Sequence, residues 1–155
     1  MCEALADQFA KAHASQIDWE GAAAYAIYEI APAPETVLIE FLKAKAAPVQ
    51  GLTLKVYGGA LLVDGVEARE VLLWHDTVPA QVAVQVRREA GKNPTLKFWN
   101  VWRGSVGGSD VTQAWLGNSG MRIEPSEDGR SLSLRCSDGE GAVDFNDLDV
   151  RVTVG

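Results

Sequence analysis

Apolar and polar residues alternate from Leu52 onward, and this period of two constrains the fold more than any other feature of the sequence. Leu52, Leu54 and Val56 are separated by Thr53 and Lys55. Successive side chains of a strand point to opposite faces, so the pattern predicts a strand buried on one face. Further short segments of this kind follow, separated by Gly, Asn and Asp; they cover residues 60–63, 66–74, 82–86, 96–102, 121–124, 131–136 and 148–154. Such a series predicts antiparallel pairing in a sandwich or barrel.

One turn within this series is predicted in detail. Asp64 and Gly65 lie between Val63 and Val66, and both central residues tolerate the positive φ that a two-residue hairpin turn requires. The sequence therefore predicts a hairpin that joins residues 60–63 to residues 66–74.

A period close to 3.6 residues characterises the Ala-rich segment before Pro48. Leu5, Phe9 and Ala12 predict a short amphipathic first helix. Asp18 is placed to N-cap a second helix, which would end at Pro32.

A third helix is predicted after Pro34, which fits the first helical turn. We therefore expect an α+β fold in a single domain, with a helical segment over residues 1–48 and a β-rich core over residues 50–155. The core is predicted to be an antiparallel β-sandwich or one strongly curved sheet, with two or three helices packed on it.

Composition excludes several classes of protein. The 155 residues are 47% hydrophobic, and no uncharged apolar stretch is long enough to span a membrane, which predicts a soluble domain. A net charge of −7 argues against a general nucleic-acid binder, because phosphate binding needs a basic surface. The two cysteines are too few for a secreted disulfide scaffold, and no secretory signal is recognisable. We expect a cytoplasmic protein if Met1 is the natural start, and a secreted one if a leader has been removed.

Few residues suit catalysis. The two histidines are His13 and His75, and the sequence contains no nucleotide-binding, zinc-protease or serine-hydrolase motif. His75 precedes Asp76, so this carboxylate could orient the imidazole as a general base. The alternative is a histidine in a surface turn. Cys136 is a second candidate, as a thiol nucleophile beside His75, but a cysteine in a strand is more often a small core residue.

Tryptophan is concentrated around one predicted strand. Trp99 and Trp102 are an odd number of residues apart, so they should lie on opposite faces of the strand, and we expect only one of them to be exposed. An exposed Trp on a sandwich face can stack on a sugar or a base. Trp99, Trp102, Trp115 and Arg103 are therefore the candidate ligand-binding residues. The alternative is that the tryptophans pack in the core.

Basic residues surround the same strand; they are Arg87, Arg88, Lys92, Lys97 and Arg103. With interleaved aromatic residues they could form a nucleic-acid strip, but the net charge favours an ordinary solvated surface.

A run near the C-terminus, from Cys136 to Asp149, contains five acidic residues and no basic one. Carboxylates this close repel one another unless a cation or a basic group intervenes, and oxygen ligands in a Gly-containing loop suit Ca²⁺. The candidate metal ligands are Asp138, Asp144, Asn146 and Asp147. The alternative is a polar hairpin in which these side chains cap turn amides.

In residues 137–154, SDGEGAVDFNDLDVRVTV, an Asp-Gly turn precedes a D-[FY]-[ND]-D-L motif and a closing V-x-[VI] strand. From Cys136 to Val154 it resembles the last hairpin of bacterial β-sandwich modules that are associated with calcium or carbohydrate. For the same four Asp and Asn residues, the resemblance implies contacts to a cation or turn-capping contacts.

Three functions stay open at this point. The first is a non-catalytic binding module for a small molecule, a glycan or a protein, with Ca²⁺ as its only candidate cofactor. The second is a small hydrolase or isomerase that uses His75 and Asp76 in a cleft between sheet and helices. The third is an acidic intracellular protein that binds a basic protein partner.

Overall fold

The computed structural model describes residues 3–106 and 109–155, which form one helix and fourteen strands. In chain order they are α1 (Leu5–Ala12), β1 (Gln16–Trp19), β2 (Ala22–Tyr25), β3 (Tyr28–Ile30), β4 (Thr36–Ala44), β5 (Gln50–Tyr57), β6 (Gly59–Val63), β7 (Val66–Ala68), β8 (Glu70–Trp74), β9 (Gln81–Arg88), β10 (Thr95–Val106), β11 (Ser109–Gln113), β12 (Gly120–Pro125), β13 (Ser131–Ser137) and β14 (Leu148–Val154).

The strands form two antiparallel sheets in a sandwich-like arrangement. The larger sheet has nine strands in the order β1-β2-β12-β13-β14-β4-β9-β6-β7. The smaller sheet has five strands: four in the order β11-β10-β5-β8, and β3, which also pairs with β10. The predicted antiparallel β-rich core is confirmed. Within the described residues, no helix has the length and apolar character needed to cross a membrane.

The prediction of an α+β fold with two or three helices is wrong, because α1 is the only helix in the described part of the chain. Asp18, predicted to cap a helix, lies in β1, and Glu20 and Gly21 form the turn to β2 with φ of 50° and 82°. The high helix propensity of the Ala-rich β2 is overridden by its pairing with β1 and β12.

The third predicted helix is β4, at the centre of the larger sheet. It pairs with β14 on one side and β9 on the other, and its Val37 and Ile39 are buried. Residues two apart share one face of a strand but not of a helix, and β-branched side chains also suit a strand better. The change of pattern at Pro48 therefore does not separate helices from strands.

The first predicted helix is confirmed as α1. Its Leu5 and Phe9 are buried against Ala24 in a small second core. The helix ends at His13, whose backbone is left-handed with a φ of 51°.

The predicted Asp64-Gly65 turn is confirmed, and it closes a hairpin that reaches both sheets. Asp64 and Gly65 have φ of 49° and 77°, as a type I′ turn requires. Near the turn β6 pairs with β7 in the larger sheet, whereas farther away β5 pairs with β8 in the smaller one. Each side of the hairpin passes from one sheet to the other, at Gly58 between β5 and β6 and at Arg69 between β7 and β8. At this point the Val56 N–H donates a hydrogen bond to the Arg69 carbonyl at 2.9 Å.

The main core lies between the sheets. In the smaller sheet, Leu52, Leu54 and Val56 of β5 face it together with Leu96 and Phe98 of β10, as the cross-strand register requires. The alternate residues of β5 and β10 therefore point away from the larger sheet.

Candidate functional site

The outward side of the smaller sheet presents an unusual density of aromatic residues. In β10 the outward-pointing residues include Trp99, Val101 and Arg103. In β5, Thr53 lies opposite Trp99 and Gly51 lies opposite Val101. Trp74 of β8 lies opposite Gly51, and Leu72 opposite Thr53. We call this surface the aromatic face; it consists of Leu72, Trp74, Trp99, Arg103 and Trp115.

Trp115 forms the most exposed part of the aromatic face. Its ring lies 5.0 Å from the ring of Trp99 at an angle of 41°, and its Nε1 donates a hydrogen bond to the Ala26 carbonyl at 3.1 Å. The side chain is nevertheless 45% exposed. Its φ of 59° is a strained conformation for a bulky residue. The ring is thus held in place on one side and accessible on the other.

Trp74 and Arg103 form a second fixed group. A Cβ at Gly51 would lie 2.7 Å from the Trp74 ring, so the ring can lie against the sheet only because residue 51 is glycine. The Arg103 guanidinium lies 4.7 Å from the centre of the Trp74 ring, in a cation–π arrangement. It also pairs with Asp76 at 3.4 Å.

Three of the four predicted ligand-binding residues, Trp99, Trp115 and Arg103, therefore lie on one surface. Trp102 does not: it points into the core, is 1% exposed, and its Nε1 donates to Gln113 Oε1 at 2.9 Å. Trp99 and Trp102 occupy opposite faces as predicted. The prediction that one of them is exposed is wrong, because Trp115 covers Trp99, which is 8% exposed.

The acidic residues between β13 and β14 enclose a lysine instead of converging on a shared cation site. Asp138 is fully buried, and its Oδ2 accepts hydrogen bonds from Lys45 Nζ at 2.9 Å and from Gln50 Nε2 at 2.8 Å. Asp147 Oδ1 lies 3.6 Å from Lys45 Nζ, and its Oδ2 accepts the Asp138 N–H at 3.0 Å. The Lys45 ammonium thus provides the positive charge that the carboxylates need.

Two further carboxylate oxygens of this segment cap turns. Asp138 Oδ1 accepts the Glu140 N–H, and Asp144 Oδ1 accepts the Asn146 N–H, each at 2.9 Å. No group of three or more His, Cys, Asp and Glu side chains in the described residues is arranged to hold a metal ion. The geometry corresponds to the turn-capping alternative for Asp138 and Asp144. Asn146 takes part only as a donor, through its backbone N–H.

Burial raises the pKa of the Asp147 carboxyl, although the hydrogen bond from the Asp138 N–H and the charge of Lys45 partly oppose this. Burial alone would lower the pKa of Lys45. Its hydrogen bond to Asp138 and the charges of both carboxylates nevertheless raise that pKa above the ordinary value. Folding therefore favours the protonated, charged lysine.

His75 and Asp76 do not form the predicted pair. The Asp76 carboxylate binds Arg103, while His75 Nε2 is buried and has no hydrogen-bond partner among the described residues. Cys136 lies in β13 of the larger sheet, fully buried, and burial raises the pKa of its thiol far above the usual range. Its thiol is therefore suited to packing and not to nucleophilic attack.

The basic residues of the predicted strip do not form one continuous positive surface, because several of them pair with acidic residues. Arg87 pairs with Glu67 and Lys92 with Glu89, so neither cation is uncompensated. Lys97 and Arg103 point outward from β10, and Arg103 pairs with Asp76.

Sequence reasoning missed Trp74, Leu72, Lys55 and Tyr57 as parts of the outward surface. The alternation of β5 already places Lys55 and Tyr57 on the face away from Leu54. The partner of each residue across the sheet depends on strand register, which the sequence does not specify.

Comparisons of this chain with protein families, curated proteins and solved structures find no match.

Proposed function

We propose that this chain is a non-catalytic binding module and that it binds carbohydrate on the aromatic face. The observation that carries the proposal is the Trp115 ring, which is 45% exposed although its inner side and its indole N–H are both fixed. A rigid exposed ring offers the apolar side of a sugar a large contact area at little entropic cost.

The neighbouring residues support the same role. Leu72 is also exposed, Trp74 is held against Gly51, and Arg103 adds hydrogen-bond donors at the edge of the rings. Exposed apolar side chains with polar groups beside them are the usual composition of a recognition surface.

A fluorescence titration with soluble oligosaccharides tests the proposal. We expect a saturable change in tryptophan emission in the parent chain, and its loss, together with loss of binding by calorimetry, in Trp115→Ala. Trp19→Ala is the matched control, because Trp19 is partly exposed but packs against Phe145 elsewhere on the molecule. Unchanged affinity in Trp115→Ala, or no binding of any oligosaccharide by the parent chain, would overturn the proposal.

A further inference from the structure

Two lysines lie side by side next to the aromatic face. Lys55 of β5 and Lys97 of β10 are direct cross-strand partners. They point outward, because they share their face with Trp99 and Thr53. Like charges directly opposite one another destabilise a sheet. This lysine pair is therefore unfavourable unless neighbouring charges or a ligand offset the repulsion.

Both ammonium groups approach one tyrosine. Lys55 Nζ lies 5.2 Å and Lys97 Nζ 5.1 Å from the centre of the Tyr57 ring, which is 46% exposed. Glu70 and Glu29 are the next residues in the same cross-strand row. Among the described residues, however, neither lysine forms an ion pair, and Lys43 forms none either, whereas Lys11, Lys45 and Lys92 each do.

The lysine pair continues the aromatic face along β10. Lys97 precedes Trp99 by two residues, a separation of about 7 Å on one face of a strand. Arg103 lies beyond Trp99 on the same face, at about 13 Å. A ligand stacked on Trp115, which covers Trp99, would thus have cationic groups on both sides.

We propose that the ligand of this surface is an acidic glycan, whose carboxylates bind the lysine pair while a sugar ring stacks on Trp115. This inference rests on the proposed function, and it names the class of glycan. Uronate sugars supply both required groups, an apolar ring side and a carboxylate. Glu29, Glu70 and Asp76 border the face, and the net charge of −7 opposes any long polyanion, so the proposed ligand is a short glycan that places a carboxylate at the lysine pair. A single-stranded nucleic acid could also stack, and it is an outcome of the test below.

The test compares a galacturonate oligosaccharide with its neutral methyl ester, using the whole chain and calorimetry at low salt. We expect the acid to bind more tightly, and added salt to remove the difference. In Lys55→Gln/Lys97→Gln the affinity for the acid should fall about tenfold, and about threefold in each single variant, with the ester unaffected. Lys43→Gln removes an exposed lysine from β4 in the other sheet and should change neither affinity.

The outcomes separate the two proposals. Equal binding of acid and ester, or equal loss of both in the double lysine variant, would overturn the acidic ligand while leaving the carbohydrate site intact, provided that Trp115→Ala still abolishes binding. A single-stranded oligonucleotide that binds more tightly than the galacturonate would also overturn it. If neither of these sugars binds but another oligosaccharide does, only the acidic ligand is overturned, whereas both proposals fail if no oligosaccharide binds.

Discussion

The acidic segment between β13 and β14 and the tryptophans of the aromatic face were both candidate ligand sites, but their surroundings in the fold are opposite. In the acidic segment, buried Asp138 and Asp147 are matched by Lys45, Gln50 and backbone amides. On the aromatic face Trp115 is 45% exposed, and the adjacent half-buried lysine pair forms no ion pair among the described residues.

The difference shows that a concentration of functional groups is informative only after its internal partners are known. Buried carboxylates are stable when they are paired and hydrogen-bonded, and such a network needs no ligand. Exposed rings and adjacent cations, by contrast, retain surface and charge that a ligand can use. The first region therefore maintains the fold, and the second is the better candidate for recognition.

The largest expected effect is on the acidic segment. Asp138→Ala leaves Lys45 and the buried Gln50 amide without their shared acceptor, so we expect a loss of about 3 kcal/mol in the free energy of unfolding. Urea denaturation measures it. Asp144→Ala, which removes only a turn cap, should cost about 1 kcal/mol. Similar losses in the two variants would show that the Lys45 network contributes little.

Gly51→Ala should displace the Trp74 ring of the aromatic face. The added Cβ would lie 2.7 Å from the Trp74 ring, which must move away from the sheet and from Arg103. We expect a stability loss of about 1–3 kcal/mol and a change in near-ultraviolet circular dichroism. An unchanged tryptophan spectrum would contradict the close packing of Trp74 on Gly51.

A smaller effect concerns pH. The folded pKa of Lys45 is raised above 10.5, so the stabilisation from its charge is complete below that pH and is lost as the pH rises through the folded value. The stability difference between the parent chain and Lys45→Met should therefore shrink in alkaline solution. A difference that stays constant up to high pH would mean that Lys45 acts through packing alone.

The smallest expected effect is that of calcium. Because Lys45 and Gln50 already bind Asp138, we expect the same melting temperature in millimolar Ca²⁺ and in chelator. A site filled at a hundredfold excess over Kd would add about 2.7 kcal/mol and shift the melting temperature by several degrees. Such a shift would restore the cation hypothesis suggested by the C-terminal resemblance.

Features that depend on short-range sequence were predictable. The period of two placed Leu52 and Leu54 on the core side, and Asp64-Gly65 identified its turn. The odd spacing of Trp99 and Trp102 correctly separated them between two faces.

Features that depend on distant partners were not predictable. The exposure of Trp99 is determined by Trp115, which reaches it from a separate loop. The charge of Asp138 is matched by Lys45, which follows β4 far away in the sequence. Helix propensity failed in β2 and β4 because neighbouring strands supplied the hydrogen bonds and the burial.

The hairpin that bends between the sheets at Gly58 and Arg69 has a consequence for folding kinetics. Once β6 and β7 pair across the Asp64-Gly65 turn, β5 and β8 are already close, so the first strand pair of each sheet forms with little additional loop-closure entropy. All the other strand pairs can then add to one of these two pairs. We therefore expect Val66→Ala, in this turn, to slow refolding more than it accelerates unfolding, which stopped-flow chevron analysis would measure.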